Sequence, residues 1–539
     1  MTRHAMRLAP SAPATLADVF EALRDQLGLD RDFPPDVLEE AERAAASIAA
    51  DIAAASSVAA GSVAAGSGSG SAAAPGSAVA GAASSGSGAG VLDARDVELL
   101  TIDPPGSMDL DQAVHIERDG EGFRVRYAIA DVARAVAPGG PLDRETRERG
   151  TTVYGPSMRV PLHPPVLSEG VLSLLPDVDR FAYLWDVRLD ARGEQTAARV
   201  DRALVRSRAR FTYGEAQAEL RTARPRPALA LLRTVGTLRL ERERERGGVS
   251  LDVPEQEARV DDDGVHLELR HVLPVESWNA QISLLTGLAA AGLMREAGVG
   301  VLRTLPTADP RDLERLRRTA QALGIDWPES LDYAGVLDTL DAGVPAHAAF
   351  LNEATTLFRG AGYLVFDAAA GAALPQDPDV VRHAAIAGEY AHVTAPLRRL
   401  VDRYGLEVCV AWCAGVDVPA WVREGLVGLP EIMAAAGQRA GAFERGCVDA
   451  VEAAVLSGRE GEVFSAVVVD VNGSRGKGTV MLTEPAVRGR VSGGDVELEL
   501  GARVRVRLVE ASVGDRRVGF ELAADDTGDD VVGDVSPSR

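Results

Sequence analysis

Two hydrophobic periods divide the chain. Near its start the period is helical: Leu16, Val19, Phe20 and Leu23 share one face, and a second amphipathic run extends from Pro35 through Ala46, which predicts two short helices within residues 1–52. From residue 95 onward, short apolar runs bounded by turn residues take over. Val97-Glu98-Leu99-Leu100-Thr101-Ile102 reads as a strand, Pro104-Pro105-Gly106 as the turn that ends it, and Ala113-Val114-His115-Ile116 as the next strand. Asp119-Gly120-Glu121-Gly122 then marks a hairpin leading into Phe123–Ile129. The helical period returns in Leu229–Arg246, Glu276–Ala297 and Pro310–Leu323. This even mixture of sheet and helix predicts an α+β domain over residues 95–458.

Residues 459–523 change character. Valine-rich strands alternate with glycine turns in Phe464–Val471, Gly478–Leu482, Arg488–Val491, Arg503–Val509 and Val518–Leu522, the pattern of a five-stranded OB-fold β-barrel. From Ala53 to Gly90 the chain is almost wholly Ala, Gly and Ser, too poor in apolar surface to offset ordering entropy, so residues 53–94 are expected to be a flexible linker. The acidic, polar tail at 524–539 is expected to be disordered.

Charge narrows the candidate partners. With 57 Lys and Arg against 80 Asp and Glu, the net charge of -23 repels any polyanion except where basic residues cluster. The barrel is predicted to carry such a cluster. A period of two sets Arg503, Arg505 and Arg507 on one face and the intervening valines on the other, and Arg475, Lys477, Arg488, Arg490, Arg516 and Arg517 add to it. The stripe is either an ordinary solvent-facing surface or, the favoured reading, a contact for RNA. The cysteines Cys409, Cys413 and Cys447 form no CxxC pair and fit a reduced, cytoplasmic setting. No segment is apolar for long enough to span a bilayer, and no basic head precedes an apolar core at the N-terminus, so no membrane association is expected. HExxH and GxSxG are absent, and GSRGKGT at 473–479 has Gly478 where a P-loop needs a hydroxyl after Lys477. These absences argue against a serine hydrolase, an NTPase or any nucleotide cofactor.

The candidate chemistry gathers in Thr101–Val114, read as TIDPPGSMDLDQAV. Asp103, Asp109 and Asp111 fall within nine residues, with Gln112 directly after them. Crowded carboxylates repel unless a cation or protons offset the charge, and hard divalent ions such as magnesium prefer all-oxygen ligands. Asp109 and Asp111, two apart on an extended segment, point the same way, and Asp103 approaches across the Pro-Pro-Gly bend. The residues alone leave two readings open, a metal site and a solvated acidic turn. A second constellation is Thr394–Tyr404, where Pro396 marks a helix N-terminus suited to anions, Arg399 and Arg403 stand one turn apart, and Arg398 is spaced to pair with Asp402. The adjacent Arg398 and Arg399 form either a phosphate clamp or part of a surface helix with an ion pair.

The acidic loop resembles the signature of the ribonuclease II and ribonuclease R family of exoribonucleases, which reads T-I-D, five residues, D-x-D-D. Further stretches follow in that family's order: Ala128–Ala133, Arg149–Tyr154, Leu172–Leu174, Thr212–Ala216, Thr394–Arg399 and Phe443–Arg445. The similarity covers roughly residues 95–460. At one position the chain departs from the pattern, with Gln112 where the family has a fourth aspartate. The resemblance implies an RNB catalytic domain followed by an RNA-binding barrel, acting with magnesium as a 3′-to-5′ exoribonuclease that releases nucleoside 5′-monophosphates from single-stranded RNA. It implies Asp103, Asp109 and Asp111 as magnesium ligands or as carboxylates orienting metal-bound water, Gln112 at the altered fourth position, and Asp111 as the acid whose loss stops cleavage. It tips Arg398 and Arg399 toward phosphate binding, extends the RNA-binding set to Arg403, assigns Tyr154 to base stacking and puts Glu444 near the active site. The family's two cold-shock barrels are expected to be missing, since residues 1–95 lack aromatic-rich alternating strands. A monomer is expected. A non-catalytic RNA-binding protein that has lost the full acid set is the main alternative, and an exonuclease acting on DNA is another.

Overall fold

The structure, a computed structural model, describes residues 14–523 except 65–77, 80–89, 157, 251–254, 262–263, 271, 338, 342–343, 472–475, 483, 486, 495 and 500. Most of the Ala-Gly-Ser tract, Arg475 and the acidic tail thus lie outside the described residues. Helix α1 (Ala14–Gln26) buries Leu16, Phe20 and Leu23, the face that the period predicts. Helix α2 (Pro35–Ala64) departs from expectation by running on into the alanine-rich stretch. Alanine has the highest helix propensity, and Ile48, Ile52 and Ala55 keep an apolar face against the domain behind them.

That domain is built on β1 (Val91–Asp93), β2 (Leu99–Asp103), β3 (Gln112–Asp119) and β4 (Gly122–Ala130), then helix α3 (Pro141–Arg149), the small hairpin β5 (Val153–Tyr154) and β6 (Arg159–Val160), and the long strands β7 (Asp179–Leu189) and β8 (Gln195–Thr212). The strand order is β1-β8-β2-β3-β4-β7, with β7 also pairing β8, so five strands close on one another. The predicted hairpin joins β3 to β4 with Asp119 opposite Gly122, and Gly120 takes the φ of +59° that its turn requires. β2 runs parallel to β8 with Asp103 opposite Thr212, which leaves the acidic loop at the end of the strand pair.

Helices α4 (Pro227–Glu245), α5 (Pro274–Ala297) and α6 (Leu400–Ala414) pack on the sheet, where Leu232, Val235, Ile282, Leu285 and Val401 join Val125, Tyr127 and Trp185 in the largest core. α6 starts at Leu400, so Pro396 lies in the turn before the helix rather than in its first turn as expected. Asp402 explains the difference: its carboxylate reaches back to accept the Ala395 N–H at 2.6 Å, stabilising a turn ahead of the helix. Helix α7 (Leu429–Leu456) connects this domain to the barrel, packing Phe443, Cys447 and Val451 against α1 and the β5–β6 hairpin and Leu456 against the barrel core. The barrel is the expected one: β9 (Val463–Val471), β10 (Lys477–Leu482), β11 (Arg488–Ser492), β12 (Arg503–Ser512) and β13 (Arg517–Leu522) close in the order β9-β10-β11-β13-β12. Together these elements give the α+β domain followed by an OB-type barrel that the sequence predicts. Among the described residues, no helix is long and apolar enough to cross a membrane.

Candidate active site

The acidic loop is held from inside. Ser173 Oγ accepts the Leu110 N–H at 3.0 Å and donates to the Met108 carbonyl at 2.6 Å, while Leu110 is wholly buried between the acids. Downstream, the Ala130 N–H donates to the Asp111 carbonyl at 3.0 Å. The alternation around Leu110 therefore turns both Asp109 and Asp111 toward the segment 394–399 and the β5–β6 hairpin.

Asp111 is buried. Its Oδ1 accepts the Leu397 N–H at 2.7 Å and its Oδ2 faces Arg398 Nε at 3.6 Å. Burial pushes its pKa well above the usual carboxylate range, against the opposing pull of Arg398 and the Leu397 hydrogen bond. Asp103 is pushed up to about 7, first by burial and then by the charge of Asp109. Its Oδ2 is buried without a hydrogen-bond partner. Asp109 is engaged by the hairpin, with Tyr154 Oη donating to Oδ2 at 3.3 Å and Arg159 Nη1 donating to Oδ1 at 3.1 Å. Tyr154 and Arg159 are cross-strand partners, so one small hairpin supplies both. The hairpin in turn is tied to the arginine segment, because Thr152 N–H and Thr151 Oγ1 both donate to the Arg398 carbonyl.

Gln112 is placed differently from the expected metal-shell position. Its Oε1 accepts hydrogen bonds from Tyr127 Oη and, at 3.2 Å, from Ser283 Oγ, and its Nε2 donates to the Thr394 carbonyl at 2.6 Å. A neutral amide can donate and accept at once, and here it staples the loop to α5 and to the segment before α6. Asp402, expected opposite Arg398, instead takes a two-point pair with Arg399, from Nε at 2.9 Å and Nη2 at 2.8 Å. That leaves Arg398 as the arginine turned to the acids.

Arg403 corrects the sequence reading outright. Its side chain is 2 % exposed, donates to Asp143 Oδ1 at 2.6 Å and to the Val136 carbonyl at 2.8 Å, and stacks on Trp421. So enclosed, it has no face left for RNA. Glu444 is half-buried on α7 near Cys447, one residue past Phe443, which packs on Gly155 of the hairpin so closely that a Cβ there would stand 2.6 Å from its ring. On the barrel, Arg503, Arg505 and Arg507 are exposed and alternate with inward Val504, Val506 and Leu508. Among the described residues none of the three has a carboxylate within ion-pair reach; Arg507 donates to the Gly461 carbonyl. Arg517, by contrast, is paired with Glu510 at 3.0 Å, and Arg488 faces Glu353 at 3.6 Å.

The acids can be tested for their fit to a divalent cation. Among the described residues no group of three or more His, Cys, Asp or Glu side chains is gathered closely enough to hold an ion alone. Magnesium does not require such a cage, since it is commonly bound by one or two carboxylates together with substrate phosphates and waters. The donor set fits that mode: the unpartnered Oδ2 of Asp103 and the Oδ2 of Asp111 are the oxygens available, and Asp109 stands beside them. Sequence reasoning missed Arg159 and the backbone N–H of Leu397. The Gly155-Pro156 turn between two short β-type pairs was a signal for the first; nothing local announces the second.

Comparison with known proteins identifies the family. The RNB domain profile matches residues 91–408, and that of the RNase II-type exonuclease C-terminal S1 domain matches residues 462–523. Ribonuclease R of Acidithiobacillus ferrooxidans is 46 % identical over 132 residues, covering 24 % of this chain and 30 % of that protein. Ribonuclease R of Escherichia coli strain K12 is 31 % identical over 336 residues, covering 58 % of this chain and 39 % of that protein. The chain thus spans well under half the length of these curated relatives. The apo form of Mycoplasma genitalium RNase R has the same fold, with a TM-score of 0.69 at 19 % identity over 80 % of this chain and 71 % of that one. With the RNB profile covering more than half of its residues and the S1 profile lying on its barrel, the chain belongs to the RNB-domain family of ribonuclease II and ribonuclease R.

Proposed function

We propose that this protein is a 3′-to-5′ exoribonuclease that hydrolyses single-stranded RNA to nucleoside 5′-monophosphates with magnesium. The observation that carries the reading is the setting of Asp111, a buried carboxylate fixed on one oxygen by the Leu397 N–H and turned on the other toward Arg398, with the unpartnered Asp103 oxygen nearby. The relatives named ribonuclease R support it. Magnesium would be held by Asp103 and Asp111 together with a substrate phosphate, and when bound it supplies Lewis-acid polarisation of the phosphate and an activated water.

The protein's own groups supply the rest. Tyr154 offers a ring face to the terminal base, a contact indifferent to base identity, while its hydroxyl anchors it to Asp109. Arg398 is positioned to grip a non-bridging phosphate oxygen in the scissile linkage. Asp111 would hold or orient the attacking water through Oδ2. Arg503, Arg505 and Arg507 offer an exposed cationic track for the incoming strand. A cytoplasmic, monomeric protein belongs to the same reading.

Gln112 favours a second reading, an RNA-holding protein of the same fold with little or no hydrolysis, because the amide that replaces the fourth acid is fully engaged elsewhere. Incubation of the protein with magnesium and 5′-labelled single-stranded RNA or DNA separates these readings. Laddering from the RNA 3′ end supports the proposal. Binding without laddering supports the second reading, and a ladder on DNA alone sinks both.

A further inference from the structure

The N-terminal helices do not merely precede the domain; they pack on the site from behind. Leu16, Phe20 and Leu23 of α1 share a core with Val153 and Val160 of the hairpin that carries Tyr154 and Arg159. Val37, Ala41 and Ala45 of α2 share one with Leu397, whose N–H holds Asp111. One side chain joins these layers. Arg149, at the end of α3 and with only 8 % of its side chain exposed, donates from Nη1 to the Asp30 carbonyl at 2.7 Å and to the Pro161 carbonyl at 3.2 Å, and from Nη2 to the Asp32 carbonyl at 2.7 Å. Its Nε meets Glu145 at 2.7 Å and its plane lies 3.9 Å over the Phe33 ring. The rigid fork of a guanidinium suits such bridging of carbonyls on two separate segments, and no other side chain could make these bonds together. Two residues past Pro161, His163 Nδ1 donates to the Leu397 carbonyl at 3.0 Å, so the segment that Arg149 grips runs on to the residue that orients Asp111.

We propose that Arg149 is a positioning residue through which the α1–α2 connection fixes the β5–β6 hairpin, so that the N-terminal helical pair sets how the RNA 3′ end meets Tyr154. This rests on the reading of Tyr154 as the base-stacking residue of an RNA 3′-end site. Loosening the hairpin displaces Tyr154 and slackens its hold on Asp109, while Asp111 keeps its own partners, the Leu397 N–H and Arg398. The consequence is weaker seating of the terminal nucleotide, with KM raised about tenfold and kcat changed about twofold or less, and a longer final undegraded fragment.

The test uses the full chain and an RNA carrying 2-aminopurine next to its 3′ end, in EDTA so that no cleavage intervenes. Wild type should quench the fluorophore, Tyr154→Ala should lose the quenching, and Arg149→Ala should lose it likewise. Arg149→Lys keeps the charge but offers donors from one atom only, so it should restore the quenching in part. Should Arg149→Ala fail to fold, Arg149→Lys carries the same comparison by its shortfall from wild type. Arg149 variants that melt earlier yet keep wild-type quenching and the wild-type final fragment overturn the proposal, as does wild-type quenching that does not depend on Tyr154. If the wild type proves unable to cut RNA with magnesium, the proposed hydrolysis fails, while the quenching comparison still decides the role of Arg149.

Discussion

Leu397 gives its backbone N–H to Oδ1 of Asp111 across 286 residues of sequence, at 2.7 Å. The bond fixes the carboxylate plane and leaves Oδ2 toward Arg398. Asparagine can keep the accepted bond through its own carbonyl oxygen but carries no negative charge with which to hold the cation or orient the attacking water. Asp111→Asn is therefore expected to reduce cleavage on the order of 10²–10⁴-fold while RNA affinity in EDTA stays within about twofold, as measured by single-turnover kinetics and filter binding.

The two arginines at 398 and 403 should separate cleanly. Arg403 and Asp143 form a buried pair, so Arg403→Met is expected to cost about 3–5 kcal/mol of stability, read from the urea midpoint. Arg398→Ala, at a partly open position, should leave the midpoint nearly unchanged and reduce cleavage. A cleavage defect in Arg403→Met at full folded population would return that residue to the RNA path.

Gln112→Asp trades a satisfied amide for a carboxylate that cannot donate to the Thr394 carbonyl. The variant should lose about 1–3 kcal/mol without magnesium, and magnesium should raise its Tm more than that of the wild type as the new acid turns toward Asp103. Equal magnesium shifts in the two proteins would place position 112 outside the cation's reach.

Asp103 also predicts a pH effect. Its folded pKa of about 7 lies above the ordinary value of a free aspartate, so between about pH 4 and 7 the folded state holds the proton more tightly than the unfolded chain. Its contribution to stability is thus present below the unfolded pKa and is lost as pH rises through 7. Buried His163, lowered to about 4, acts in the opposite sense between pH 4 and 6.5, which is why the comparison should be with Asp103→Asn rather than with the raw curve. Subtracting the two magnesium-free stability curves should leave a difference that changes steadily from pH 4 to 7 and levels off above it.

The barrel stripe is testable by salt. Replacing Arg503, Arg505 and Arg507 together by Ala should lower the slope of log affinity against log salt for single-stranded RNA by about 2. An unchanged slope would make the stripe ordinary surface.

The sequence carried the fold where strands are short, alternating and punctuated: Asp119–Gly122 closes its hairpin as read, and Val504, Val506 and Leu508 point inward between the arginines, whereas the long strands β7 and β8 have no such punctuation and were not read. α2 outruns its expected end because a small and polar composition reads as a break, whereas alanine favours helix. At the site, residue types pointed to Asp103, Asp109 and Asp111 because all three lie on one loop. They did not distinguish Arg398 from Arg403, since the burial of Arg403 depends on Asp143, 260 residues earlier, and no local period records a partner so distant. Gln112 is similar: its role comes from Tyr127, Ser283 and Thr394, which meet only in the folded chain.

The packing of α1 and α2 bears on how this gene should be trimmed. A fragment begun at residue 91, where the RNB profile match starts, would leave Val153, Val160 and Leu397 facing water, a greasy scar directly behind the acidic loop. Such a piece would sooner clump than digest, and an inert preparation of it would say nothing about the chemistry of the intact polypeptide.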